Sequence, residues 1–143
     1  MGLLLSALQS CLSPELCRPL LVFNGWGLLV LRVVVAAVFF IHGWPKFKDL
    51  KTNSQNFSMM GFNPGWLWGT VVALVEFLGS LLLLAGLGVQ LIGLVLAIEM
   101  AVSTIWRKRQ GHSFMGGYEF DLLLLAAGLV LATSGGGALV LGF

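Results

Sequence analysis

The sequence predicts an all-α fold, an integral membrane four-helix bundle with a short N-terminal interfacial segment. Three observations predict it. Only 10% of the residues are charged while 58% are hydrophobic, whereas a soluble domain carries roughly a quarter of its residues as charges to face water. Four apolar stretches come close to the roughly 20 residues that a helix needs to cross a bilayer. Six of the eight Lys and Arg residues fall in the two short polar stretches between these spans. At 143 residues the chain is one unit, divided into an interfacial segment, 1–19, and a transmembrane domain, 20–143. A formal charge of +2, with no basic run interleaved with aromatics, speaks against a nucleic-acid partner. The lipid bilayer is the expected partner.

The first span is expected from about Leu20 to Trp44, with Pro45 stopping it because proline lacks the N–H that a helix interior needs. The second runs from about Trp66 to Leu87. The corner Gly86-Leu87-Gly88 then leads to a third span ending near Trp106, and the fourth runs from about Phe120 to Leu141. Trp26, Trp44, Trp66, Trp68 and Trp106 lie near the span ends, where an amphipathic ring favours the headgroup level. Barrel strands would alternate apolar and polar residues, and these runs do not. Gly135-Gly136-Gly137 marks a break late in the fourth helix, since glycine gains least from helix formation. The small residues Gly79, Gly93, Gly128 and Ala132 permit close helix approach.

Orientation follows from the basic residues. Lys46, Lys48, Lys51, Arg107, Lys108 and Arg109 lie in the loops 45–65 and 107–118, which four spans place on one side. The positive-inside bias makes that side cytoplasmic, with both termini outside, in a multi-pass protein of the cell membrane. Cys11 and Cys17 lie in the N-terminal segment, where a disulfide is permitted if it faces outward. Their spacing matches no redox or zinc motif.

Ionisable groups inside spans cost roughly 2.5–3.5 kcal/mol each on insertion scales and by default mark function. Arg32, Glu76 and Glu99 are such groups. Glu76 precedes Leu87 by eleven residues and Glu99 follows it by twelve, so an antiparallel hairpin sets both at one level. Arg32 falls about halfway along the first span. The expectation is an interior Arg–Glu–Glu cluster, in which arginine's planar fork holds two carboxylates and one acid keeps a proton that it can exchange with a ligand. The competing reading is an ion network that only pins helices. At the cytoplasmic face, His42, Tyr118, Glu119 and Asp121 form a candidate proton entry, with His42 the group that normally titrates nearest neutrality. Acidic residues opening the fourth helix could equally complement its dipole. One histidine among scattered carboxylates is too little for a metal site.

These residues resemble the DoxX family of small four-span membrane proteins. The matching pieces are Leu31-Arg32, then Phe40-Ile41-His42-Gly43 with Lys46, then Met60-Gly61-Phe62. Val75-Glu76-Phe77-Leu78-Gly79 and Leu84-Ala85-Gly86-Leu87 follow, then Glu99-Met100, Gly117-Tyr118-Glu119-Phe120 and Leu122-Leu123-Leu124-Leu125-Ala126-Ala127. Together they cover about Gly27 to Ala132. The resemblance implies a four-helix fold and a link to membrane redox chemistry, because relatives include a subunit of thiosulfate:quinone oxidoreductase and membrane partners in redox-stress complexes. By carry-over it points to Arg32, His42, Glu76, Glu99 and Glu119.

No motif for a flavin, haem or iron–sulfur cluster is present: two cysteines are too few for a cluster, and no glycine-rich dinucleotide loop opens a helix. Electrons would come from other membrane subunits, the expected protein partners. Two functions remain. The favoured one is an accessory subunit that docks on and stabilises a larger respiratory or redox complex. The other is a quinone-reactive subunit whose mid-membrane Arg32, Glu76 and Glu99 bind a quinone or its proton.

Overall fold

The computed structural model describes residues 24–141. The N-terminal segment, with Cys11 and Cys17, lies outside the described residues. Four helices are long and apolar enough to cross a membrane, over Gly25–Lys48, Gly65–Ala85, Val89–Arg109 and Phe114–Ser134. No strand occurs among the described residues.

Helix α1 (Asn24–Lys48) runs through Pro45, so the expected stop at Trp44 is displaced by one turn. A proline near a helix end forfeits only one backbone bond, and aromatic packing across to the next long helix offsets it. The Phe47 ring stacks on Phe77 at 4.6 Å between centroids, and Trp44 and Phe40 meet the same ring at 5.4 and 5.7 Å. What reads as a loop then holds a short helix, α2 (Leu50–Met59), whose first turn is capped by the Asp49 carboxylate accepting from the Thr52 N–H. Helix α2 lies against the start of α3 (Gly65–Ala85), where buried Asn53 donates to the Gly69 carbonyl at 2.6 Å.

Gly86 ends α3 in the left-handed conformation, φ 72°, which costs glycine no Cβ clash. The chain reverses into α4 (Val89–Arg109). A wide turn over Phe114–Tyr118 opens α5 (Glu119–Ser134). The fourth span therefore stops at Ser134 rather than near Leu141. Residues 135–141 leave the helix at the triple glycine and cross the ends of α1 and α3. Ala138 N–H donates to Gly25 O at 2.8 Å and Leu141 N–H to Gly86 O at 3.1 Å.

The helices associate as two pairs, α1 with α3 and α4 with α5. Gly93 and Gly128 bring α4 and α5 together so closely that a Cβ on Gly128 would lie 2.9 Å from the Gly93 carbonyl oxygen. Between the pairs, Val35, Phe39, Leu83, Val89, Leu96 and Leu131 make the core, weighted toward the end that carries the C-terminal strap. Toward the other end the pairs diverge. Val30, Ile41, Leu78, Leu91 and Leu123 point outward, an apolar surface that implies a lipid surrounding rather than water.

Candidate functional site

Where the pairs diverge they enclose a cavity of about 690 Å³. Its wall is mainly apolar, with Val38, Phe39, Val72, Val75, Val95 and Leu124 among the lining residues. His42, Lys46, Glu76, Glu99, Ser103, Arg107 and Asp121 also reach it, so one space gathers six ionisable groups from four helices.

Glu76 is placed by a glycine. Gly43 sits directly against it across the α1–α3 contact, where a Cβ would lie 2.8 Å from both the Glu76 Cβ and the Phe77 nitrogen. That close approach sets Lys46, three residues further along α1, over the carboxylate. Its Nζ donates to Glu76 Oε1 at 2.6 Å, with the Lys46 side chain 32% exposed and the Glu76 side chain 4%. Glu99, on α4, stands within reach of Glu76, in keeping with their nearly equal distances from Leu87. Among the described residues, Glu76 Oε2 and Glu99 Oε2 are buried without a hydrogen-bond partner. Orphaned buried oxygens cost of order 1–3 kcal/mol each, which makes this a chemically unsatisfied point of the bundle; among the described residues Arg32 Nε is the other buried side-chain polar atom without a partner.

Arg32 does not join them, and the Arg–Glu–Glu cluster is corrected on this point. Its Nη1 donates to Gly136 O at 3.3 Å and its Nη2 to Leu139 O at 3.2 Å. The cause is register: Arg32 is level with Gly86, whose Cβ position lies 3.0 Å from Arg32 Nη1, while Gly43 is level with Glu76. The eleven residues from Arg32 to Gly43 span roughly 16 Å of helix. Lys46 takes the place that the sequence offered to Arg32.

A second ionic group lines the same cavity nearer its charged end. Arg107 Nε meets Asp121 Oδ2 at 3.0 Å, and Ser103 Oγ donates to that same oxygen at 2.7 Å. Arg107 Nη1 also holds Gly117 O at 3.1 Å, which ties α4 to the turn before α5. Asp121 is buried. Of the remaining candidates, His42 lines the cavity from α1 and is exposed. Glu119 instead accepts from the Gly116 N–H at 2.9 Å in the turn, and the Tyr118 ring packs edge-on against Phe114 at 5.5 Å. Neither is in the cavity lining. Among the described residues no three His, Cys, Asp or Glu side chains converge as metal ligands.

Lys46, Ser103 and Arg107 are cavity-lining positions that sequence reasoning did not select as site residues. For two of them a signal exists. Glu99, Ser103 and Arg107 recur every four residues and so share one face of α4.

Comparison with known proteins agrees with this architecture. The DoxX family profile matches residues 27–109. A Bacillus subtilis (strain 168) protein named "Putative oxidoreductase CatD" is 35% identical over 109 residues, covering 76% of this chain and 79% of its own. A Haemophilus influenzae protein described as uncharacterized is 30% identical over 124 residues, covering 83% of this chain and 90% of its own. No solved structure matches. With the profile spanning the first three long helices and a relative aligned over three quarters of its length, the chain belongs to the DoxX family.

Proposed function

We propose that the chain is a membrane-embedded subunit of a redox assembly and that its cavity receives the head group of a membrane quinone. The observation that carries this reading is the pair of orphaned carboxyl oxygens, Glu76 Oε2 and Glu99 Oε2, beside the Lys46 ammonium in an apolar cavity. A volume of about 690 Å³ falls in the range of roughly 300–1,000 Å³ typical of small-molecule sites. The residues suit such a head group: a lysine N–H to donate to a carbonyl oxygen, two acids to hold a proton, and valine and phenylalanine walls for the ring and its tail. A quinone supplies the chemistry of accepting two electrons and two protons. The chain's own share is to bind and orient the head group, exclude water and hold a proton between Glu76 and Glu99. One proton shared by the two acids would satisfy both orphaned oxygens at once.

In this reading the electrons come from a partner subunit, and the chain is accessory to it. The relative named as an oxidoreductase supports a redox setting. The basic end, with Lys46, Lys48, Lys51, Arg107, Lys108 and Arg109, is read as cytoplasmic on the positive-inside bias.

The test is purification in mild detergent, followed by mass spectrometry of extracted quinones and of co-eluting subunits. Near-stoichiometric quinone is expected, retained in Arg32→Leu and lost in Glu76→Gln or Glu99→Gln. Quinone no more abundant than in an unrelated membrane protein from the same cells overturns the quinone site. Co-eluting subunits without quinone would leave a docking scaffold alone.

A further inference from the structure

The second ionic group has no part in holding a head group, yet it lies on the same helix face as the buried acid. Glu99, Ser103 and Arg107 stand on successive turns of α4, and α5 brings Asp121 against the middle of that ladder. The Arg107 side chain at the outer end is 42% exposed and the Asp121 side chain beside it 7%, and Glu99 at the inner end carries a buried carboxyl oxygen. A structural ion pair needs only the Arg107–Asp121 contact. The Ser103 hydroxyl, donating to the very oxygen that Arg107 holds, adds a group able to accept a hydrogen from one side and release its own on the other.

We infer that Asp121 and Ser103 form the proton entry to the Glu76–Glu99 pair, with Arg107 positioning Asp121 at the mouth. A proton from the aqueous side adds to the Asp121 carboxylate. Once protonated, Asp121 no longer needs the Ser103 hydrogen, and the hydroxyl turns toward Glu99. The proton moves from Asp121 to the Ser103 oxygen as Ser103 releases its own hydrogen toward Glu99, which returns Asp121 to the carboxylate. One proton enters and one is delivered; no bond to carbon changes and no electron moves. Between Ser103 and Glu99 lies a single helical turn that lines the cavity, room enough for water to complete the line. The purpose of the delivery rests on the quinone reading, but the path itself does not. The charged groups facing this ladder from other helices are Lys46 and Glu76. His42 reaches the same cavity from α1 and lies off the Glu99–Ser103–Arg107 face of α4, so the path does not use it.

Deuterium exchange of carboxyl groups tests the path directly in the purified protein in lipid bilayers. Infrared carbonyl bands of the protonated acid, identified by their loss in Glu99→Gln or Glu76→Gln, are followed after transfer to D2O. Asp121→Asn and Ser103→Ala should each slow deuteration on the order of 10²-fold, the scale of a lost acid–base group. Asp121→Glu should restore the rate and His42→Gln should leave it unchanged. Ser103→Ala keeps the Arg107–Asp121 pair, so it remains decisive if Asp121→Asn fails to fold. Exchange at the wild-type rate in Ser103→Ala overturns the path, as does the absence of any band lost in the two glutamate variants. Quinone content, measured on the same samples, separates the two ideas: bound quinone with unslowed exchange sinks only the path, and slowed exchange without quinone sinks only the head-group site.

Discussion

Replacing Lys46 by Met asks what its ion pair with Glu76 contributes. At 2.6 Å, two unit charges attract by about 6 kcal/mol at an effective dielectric of 20. Desolvation of the buried partner offsets much of that, and what a variant reads is mainly the penalty of a stranded charge. Breaking a buried pair typically costs about 3–5 kcal/mol. Lys46 is 32% exposed, so water already screens the pair, and the expected loss for Lys46→Met lies near the low end, about 3 kcal/mol. Glu76→Gln should cost less, about 1 kcal/mol, because the lysine it strands can turn to water on its flexible stem. The double variant should then resemble Glu76→Gln alone, which leaves a coupling of about 3 kcal/mol. Unfolding of the four proteins in mild detergent, followed by helical circular dichroism, supplies the cycle. Losses that add within about 0.5 kcal/mol would refute a coupled pair.

Gly43→Leu should destabilise by about 1–3 kcal/mol, the usual cost of overpacking, because its Cβ meets Glu76 and Phe77 backbone atoms at 2.8–2.9 Å; thermal unfolding would show it, together with loss of bound quinone. Arg32→Leu should speed amide exchange over residues 135–141 and leave quinone content unchanged, and reduced quinone content would show that the two ends are linked. Asp49→Ala should speed exchange in the first turn of α2, and Asp49→Asn should do so to a smaller extent, because its amide oxygen still accepts but carries no charge. The Thr52 N–H holds the Asp49 carboxyl below its usual range, so the cap is present above the ordinary aspartate pKa and lost only as pH falls through the lowered value; protection of that turn that fails already at the ordinary aspartate pKa would contradict this.

The four spans were legible because span length and composition are local properties, and the triple glycine announced a break for the same reason, although the span was expected to run on to about Leu141. The level of Glu76 and Glu99 was legible too, since a tight corner fixes the register of an antiparallel hairpin. Arg32 was not. Its depth was counted from Leu20, but the register of α1 is set by Gly43 against Glu76, a contact between residues far apart in the chain. Pro45 misled similarly, because the rings that carry the helix past it belong to a contact with Phe77. Lys46 read as a loop charge only because the helix was expected to have ended. The carbonyls that receive Arg32 come from a non-helical strap, whose path no periodicity encodes.

Several cavity-lining residues, Val71, Ile98, Val102 and Phe120, are apolar and well exposed. A cavity with so oily an opening admits molecules from the hydrocarbon phase and not solely from water. An oily molecule reaches such an opening by diffusing sideways in the leaflet, where it is already enriched by partitioning. Its occupancy is then governed by mole fraction in the lipid. A dissociation constant quoted in aqueous molarity would drift with the amount of detergent or lipid added, and one expressed per mole of amphiphile would hold constant.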